Sequence, residues 1–121
     1  MLILASVLCF SIGSIHSYFG EKFILIRLFN KCEVPKLFGD TYFTRRTLRF
    51  AWHLTTLAWF GFGVILFKEN SKLSLDPALL KIVGAVFFFS GLLAFCFTKG
   101  KHLSWVIFWT ISAICLYKVY L

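Results

Sequence analysis

Concentrated polar chemistry in this chain is confined to a few side chains: His16, His53 and His102, Glu21, and the close-set Arg45, Arg46 and Arg49. Imidazole and carboxylate together suit Zn, Fe or Cu, so His16 and His53 with Glu21 or His102 are candidate metal ligands. The same two histidines could serve as axial ligands of a haem. Arginines one turn outward would then meet its propionates through bidentate hydrogen bonds. Without either cofactor, the arginine cluster suits phosphate: an anionic ligand or a lipid headgroup. Trp52 adjoins His53 and joins the candidate set. A plainer account uses the same residues. Histidines near helix ends bond a neighbouring carbonyl, arginines beside a membrane set topology or hold lipid phosphates, and Glu21 pairs with Arg45 or Arg49 to dock one helix on another.

The elements that must position these residues follow from composition. Of 121 residues, 60% are hydrophobic and only 15% charged, and the mean hydropathy is +0.84. A soluble domain averages about half apolar and a quarter charged. In water this chain would expose large apolar patches, so lipid is the expected solvent. The net charge of +8 is accordingly read by position, and nucleic-acid binding, which wants a basic face on a soluble fold, is excluded. Cys9, Cys32, Cys96 and Cys115 form no C-x-x-C pair and read as small apolar filler.

Four stretches lack Asp, Glu, Lys and Arg: residues 1–20, 50–67, 82–98 and 102–117. Crossing a hydrocarbon core of ~30 Å takes ~20 residues. With flanks whose lysines can snorkel, four spans are expected over about 1–20, 42–67, 77–98 and 102–120 in a single membrane domain. The first is read as a retained helix because no basic residue precedes Glu21. Asp76-Pro77 is a helix-start signal, and Asp40 is the expected cap of the second helix. Lys99-Gly100-Lys101 predicts a tight turn, hence an antiparallel hairpin of the last two helices. The connection at about 21–41 is long; its apolar-basic piece from Phe23 to Phe29 either prolongs the first helix or lies in the interface, and Pro35 ends it.

Charge then predicts orientation. Lys22, Arg27, Lys31, Lys36, Arg45, Arg46, Arg49, Lys99 and Lys101 fall on one side, and only Lys68, Lys72, Lys81 and Lys118 on the other. The positive-inside rule places the first group in the cytoplasm and both termini in the periplasm.

Small and polar residues recur on one face of each of the first two helices. Ser6, Cys9, Gly13, His16 and Gly20 form a stripe along the first, and Arg49, His53, Thr56, Phe60 and Gly63 along the second. Such stripes let helices approach closely in lipid. If they meet, His16 and His53 face each other under the arginines, with Glu21 close by.

The patterns His16-Ser17-x-x-Gly20-Glu21 and Arg45-Arg46-Thr47-Leu48-Arg49-x-x-Trp52-His53-Leu54-Thr55 resemble a family of small bacterial four-helix inner-membrane proteins of uncharacterised function. The similarity covers the first two helices and implies a bacterial inner-membrane setting, with no activity attached. Small multidrug-resistance transporters have similar length but depend on a membrane-embedded carboxylate. Here Glu21, Glu33, Asp40, Glu69 and Asp76 all fall in connections or at helix ends, which argues against a proton-driven transporter.

The expected fold is therefore an all-α, four-transmembrane-helix antiparallel bundle. The expected function is non-enzymatic: a polar site at the cytoplasmic interface that binds a lipid headgroup, an anionic ligand or a partner. A metal- or haem-binding component and a structural subunit of a homo-oligomer or other membrane assembly are the alternatives. No nucleophile, base and orienting group stand at motif spacing, and no cofactor is required.

Overall fold

The computed structural model describes residues 1–72 and 74–121. Among them the chain is helical, with no strand beyond an isolated bridge between Leu37 and Asp40. Four helices follow in order: α1 (Leu2–Lys31), α2 (Tyr42–Asn70), α3 (Pro77–Thr98) and α4 (Ser104–Tyr120). The first three are long and apolar enough to cross a membrane, which makes this a membrane protein. At ~1.5 Å per residue the 29-residue α2 is longer than a ~30 Å core, so one end must emerge into the headgroups.

α1 continues past Gly20 into what composition reads as a connection. Its α-helical part, Leu2–Phe19, passes through a π-helical segment, Gly20–Leu25, into a final α-helical turn and a half, Ile26–Lys31. Glu21 thus lies inside a helix, and of the two readings of the segment after it the structure shows the prolonged first helix. The apolar residues beyond it explain the continuation. Leu25 and Phe29 are buried with Val34, packed against Leu28 and Trp52, so the extension has its own small core. Pro35 stands in the following non-helical stretch, where its carbonyl accepts from the Thr44 hydroxyl at 2.7 Å.

Local caps set the other boundaries. Asp76 takes the amides of Ala78 and Leu79 at 3.0 and 3.1 Å, with Pro77 in the first turn of α3. Asp40 acts differently from expectation: Thr41 is the cap residue of α2, and the Asp40 carboxylate takes the Tyr42 amide from one position earlier. The preceding turn explains the offset, since Phe38 and Gly39 both have positive φ, 56° and 91°, and bend the chain before the helix begins. Lys99 and Gly100 adopt left-handed φ of 51° and 75°, and the Gly100 amide closes on the Phe95 carbonyl at 2.9 Å.

The helices pack as two hairpins. Residue pairs run in opposite order along α1 and α2 (Ser6 with Gly63, Gly13 with Phe60, Ser17 with His53), so the two are antiparallel. Ser112 with Gly84 and Trp109 with Phe88 give the same result for α3 and α4. The buried serines make the contacts intimate: Ser6 donates to the Gly63 carbonyl and Ser112 to the Gly84 carbonyl, each at 2.7 Å. Leu2, Ala5, Cys9, Leu66, Leu80, Phe87, Ile111 and Cys115, all at most 1% exposed, join the hairpins into one core. Glu69, 2% exposed, closes the loop between them. Its carboxylate accepts the Asp76 amide at 3.0 Å and pairs with Lys72.

Candidate functional site

The two stripes meet, and their register decides what pairs with what. His16 and Ser17 of α1 lie opposite Trp52 and His53 of α2. The His16 Nε2–H donates to the Trp52 carbonyl at 3.3 Å, while the Trp52 Nε1–H donates to the His16 carbonyl at 3.1 Å. Their rings stack 4.6 Å apart at an interplanar angle of 2°. Trp59 closes on His16 edge-on at 4.8 Å. Gly20 makes the stacking feasible, because a side chain there would occupy the indole's place. A tryptophan that expectation treated as a possible ligand contact is thus the bolt between two backbones.

His53 takes different partners. Its Nδ1 lies 2.6 Å from the Ser17 hydroxyl and its Nε2 3.1 Å from Glu21 Oε2. The pattern is satisfied when Ser17 donates to Nδ1 and Nε2–H donates to the carboxylate. Arg49 grips the same carboxylate as a fork, Nη2 on Oε1 at 2.8 Å and Nε on Oε2 at 3.2 Å. The result is a chain Ser17–His53–Glu21–Arg49 across the helix pair. Arg49, and not Arg45, is the partner of Glu21. The side chains of Glu21, His53 and Arg49 remain 30–39% exposed, so the network sits at the surface of the pair rather than within it.

Sequence spacing missed Ser17 because the residue that completes the chain is on another helix. Hydroxyl, imidazole and carboxylate in series also form the order used for nucleophilic catalysis. Ser17, however, lies inside the α-helical part of α1, where backbone amides are committed to the helix and cannot stabilise an oxyanion. The series is better suited to locking the helices together.

His16 and His53 therefore stand side by side with their hydrogen bonds directed to separate partners. Among the described residues, no three His, Cys, Asp or Glu side chains come together to hold a metal ion. His102 bonds Ser104, with its Nδ1 2.8 Å from the hydroxyl and 3.4 Å from the amide.

The other two arginines have no carboxylate partner among the described residues. Arg45 and Arg46 line a cavity of about 340 Å³ with Arg49, Asn30, Tyr42 and Phe29. The Arg46 guanidinium lies 5.1 Å above the Tyr42 ring, and those of Arg45 and Arg49 at 6.0 and 5.2 Å over Phe29. Arg45 Nε is buried and without a hydrogen-bond acceptor. Arg45 also borders a larger, shallow cavity of about 740 Å³ that includes Lys31 and Lys36. Five basic side chains, Lys31, Lys36, Arg45, Arg46 and Arg49, thus converge where α1 ends and α2 begins, with Glu33 the single acid lining either cavity. Comparison with protein-family models, with curated proteins and with solved structures gives no match.

Proposed function

We propose that this chain is a four-span inner-membrane protein that holds an anionic, phosphate-bearing lipid headgroup at its cytoplasmic face. The observation that carries this reading is the division of labour among the arginines. Arg49 is consumed by Glu21, whereas Arg45 and Arg46 line an open cavity with uncompensated charge and, at Arg45, an unpaired buried donor. A buried unpaired donor on a cation is costly, and a phosphate oxygen would satisfy it. The excess of Lys and Arg at this end supports its placement beside the anionic inner leaflet. α4, with 17 residues, completes the fourth span with its flanks and returns the carboxyl terminus to the periplasm.

In this reading the Ser17–His53–Glu21–Arg49 chain supplies rigidity. It fixes α2 against α1, so that Arg45 and Arg46, one turn further out, present a preformed pair to the headgroup. The metal and haem alternatives gain no support from the directions in which His16 and His53 are bonded.

The test is lipid retention. Purified protein reconstituted with mixed phosphatidylglycerol and phosphatidylcholine should retain phosphatidylglycerol selectively in native mass spectra. The Arg45→Gln/Arg46→Gln double variant should lose that selectivity, about a hundredfold in apparent affinity for two charge-assisted contacts. Equal retention by both proteins would end the proposal.

A further inference from the structure

A third cavity, of about 350 Å³, lies beside α1 on the side facing the start of α4. Its lining is largely apolar and aromatic: Ile12, Phe19, Phe23, Trp52, Trp59 and Phe108, among others. Ile12, Gly20, Ser104 and Phe108 are buried and form its floor, while Ile15, Phe19, Phe23 and Ile24 are 43–48% exposed and form an apolar rim. A rim of this kind admits a ligand sideways from the bilayer. The volume lies within the ~300–1,000 Å³ range of small-molecule sites, which typically combine apolar walls with a few placed polar groups.

Two polar groups here are histidines, and their outstanding hydrogen-bonding capacities are complementary. His16 uses Nε2–H on the Trp52 carbonyl, which leaves Nδ1 as an acceptor. His102 uses Nδ1 to accept from the Ser104 amide, which leaves Nε2–H as a donor. A straight acyl chain has nothing to offer either nitrogen. A hydroxylated aromatic ring offers a donor to one and an acceptor to the other, and the Trp52 and Trp59 rings supply faces or edges against which it can stack.

The geometry points to a binding site for a lipid-tailed phenolic or quinol ring, seated between His16 and His102 with its tail leaving over Ile15, Phe19 and Ile24. The site is separate from the arginine cavity and does not depend on it. Nothing in this inference requires electron transfer by the protein; it concerns binding alone.

Intrinsic fluorescence gives the test, because quinoid and phenolic rings quench nearby tryptophan. The full chain in detergent micelles is titrated with decylubiquinol held reduced, and separately with palmitate. Saturable quenching by the quinol that palmitate does not reverse is the expected result. His102→Phe, which removes the donor, should weaken binding about tenfold, the equivalent of one hydrogen bond. Ile24→Trp, at the exposed rim, should block entry and abolish saturation without disturbing the helix pair. Linear, non-saturating quenching that is the same in all three proteins would overturn the inference. Displacement of the quinol by palmitate would do so too, since it would show a plain acyl groove.

Discussion

His16 and Trp52 exchange hydrogen bonds across the first helix pair, each side chain bonding the other's backbone carbonyl while their rings lie parallel at 4.6 Å. Each residue satisfies a polar group of its partner. This matters in lipid, where an unsatisfied group costs several kcal/mol and interhelical bonds substitute for the missing hydrophobic drive. The contact also positions everything outward of it: one residue on, Ser17 meets His53, and one turn on, Glu21 meets Arg49.

Gly20 should be intolerant of any side chain. A Cβ there would overlap the Trp52 indole, and rigid aromatic rings yield less readily than flexible chains. Gly20→Ala is expected to destabilise by about 1–3 kcal/mol through overpacking, measured by unfolding in mixed SDS micelles. Gly61→Ala, inside α2 with nothing within 4 Å, should be neutral or stabilising by up to ~1 kcal/mol and serves as the control.

Trp52→Phe keeps an aromatic ring but deletes the donor to the His16 carbonyl. The expected loss is about 1 kcal/mol, smaller than for Trp52→Ala, which also opens a cavity beside Leu25, Phe29 and Val34. No loss for Trp52→Phe would show that the hydrogen bond contributes nothing.

Glu21 and Arg49 should be coupled. In a double-mutant cycle with Glu21→Gln and Arg49→Gln, the double variant should be about 1 kcal/mol more stable than additivity predicts, because both side chains are partly exposed and the pair is screened. Arg45→Gln combined with Glu21→Gln should be additive, since Arg45 makes no ion pair with Glu21. A reversed ranking would show that the fork forms with the wrong arginine.

Asp76→Ala removes the acceptor for two free amides at the start of α3. Loss of such a cap costs about 1 kcal/mol. Ser112→Ala, which breaks the buried bond to the Gly84 carbonyl, should cost about 0.6–1 kcal/mol in micelles. Both are measured as shifts in the SDS unfolding midpoint, and no shift in either would remove the local account given for that helix.

The sequence by itself determined the solvent of this protein and the faces of its first two helices. Hydropathy determines the first because 60% apolar residues cannot be covered by so few charges. The stripes determine the second because small residues at helical spacing are where backbones can approach. Asp76-Pro77 marked its helix start because capping is a local interaction among consecutive residues. Tertiary structure decided the rest. Whether His16 meets His53 or Trp52 depends on the axial register of two helices, and consecutive residues on each helix compete for the same contact. The choice of Arg49 over Arg45 for Glu21 follows from that register. Prolongation of α1 beyond Gly20 was one of two readings the sequence left open, and what decides for it is the packing of Leu25 and Phe29 against Val34 and Trp52. Those contacts exist only once the chain has turned back on itself.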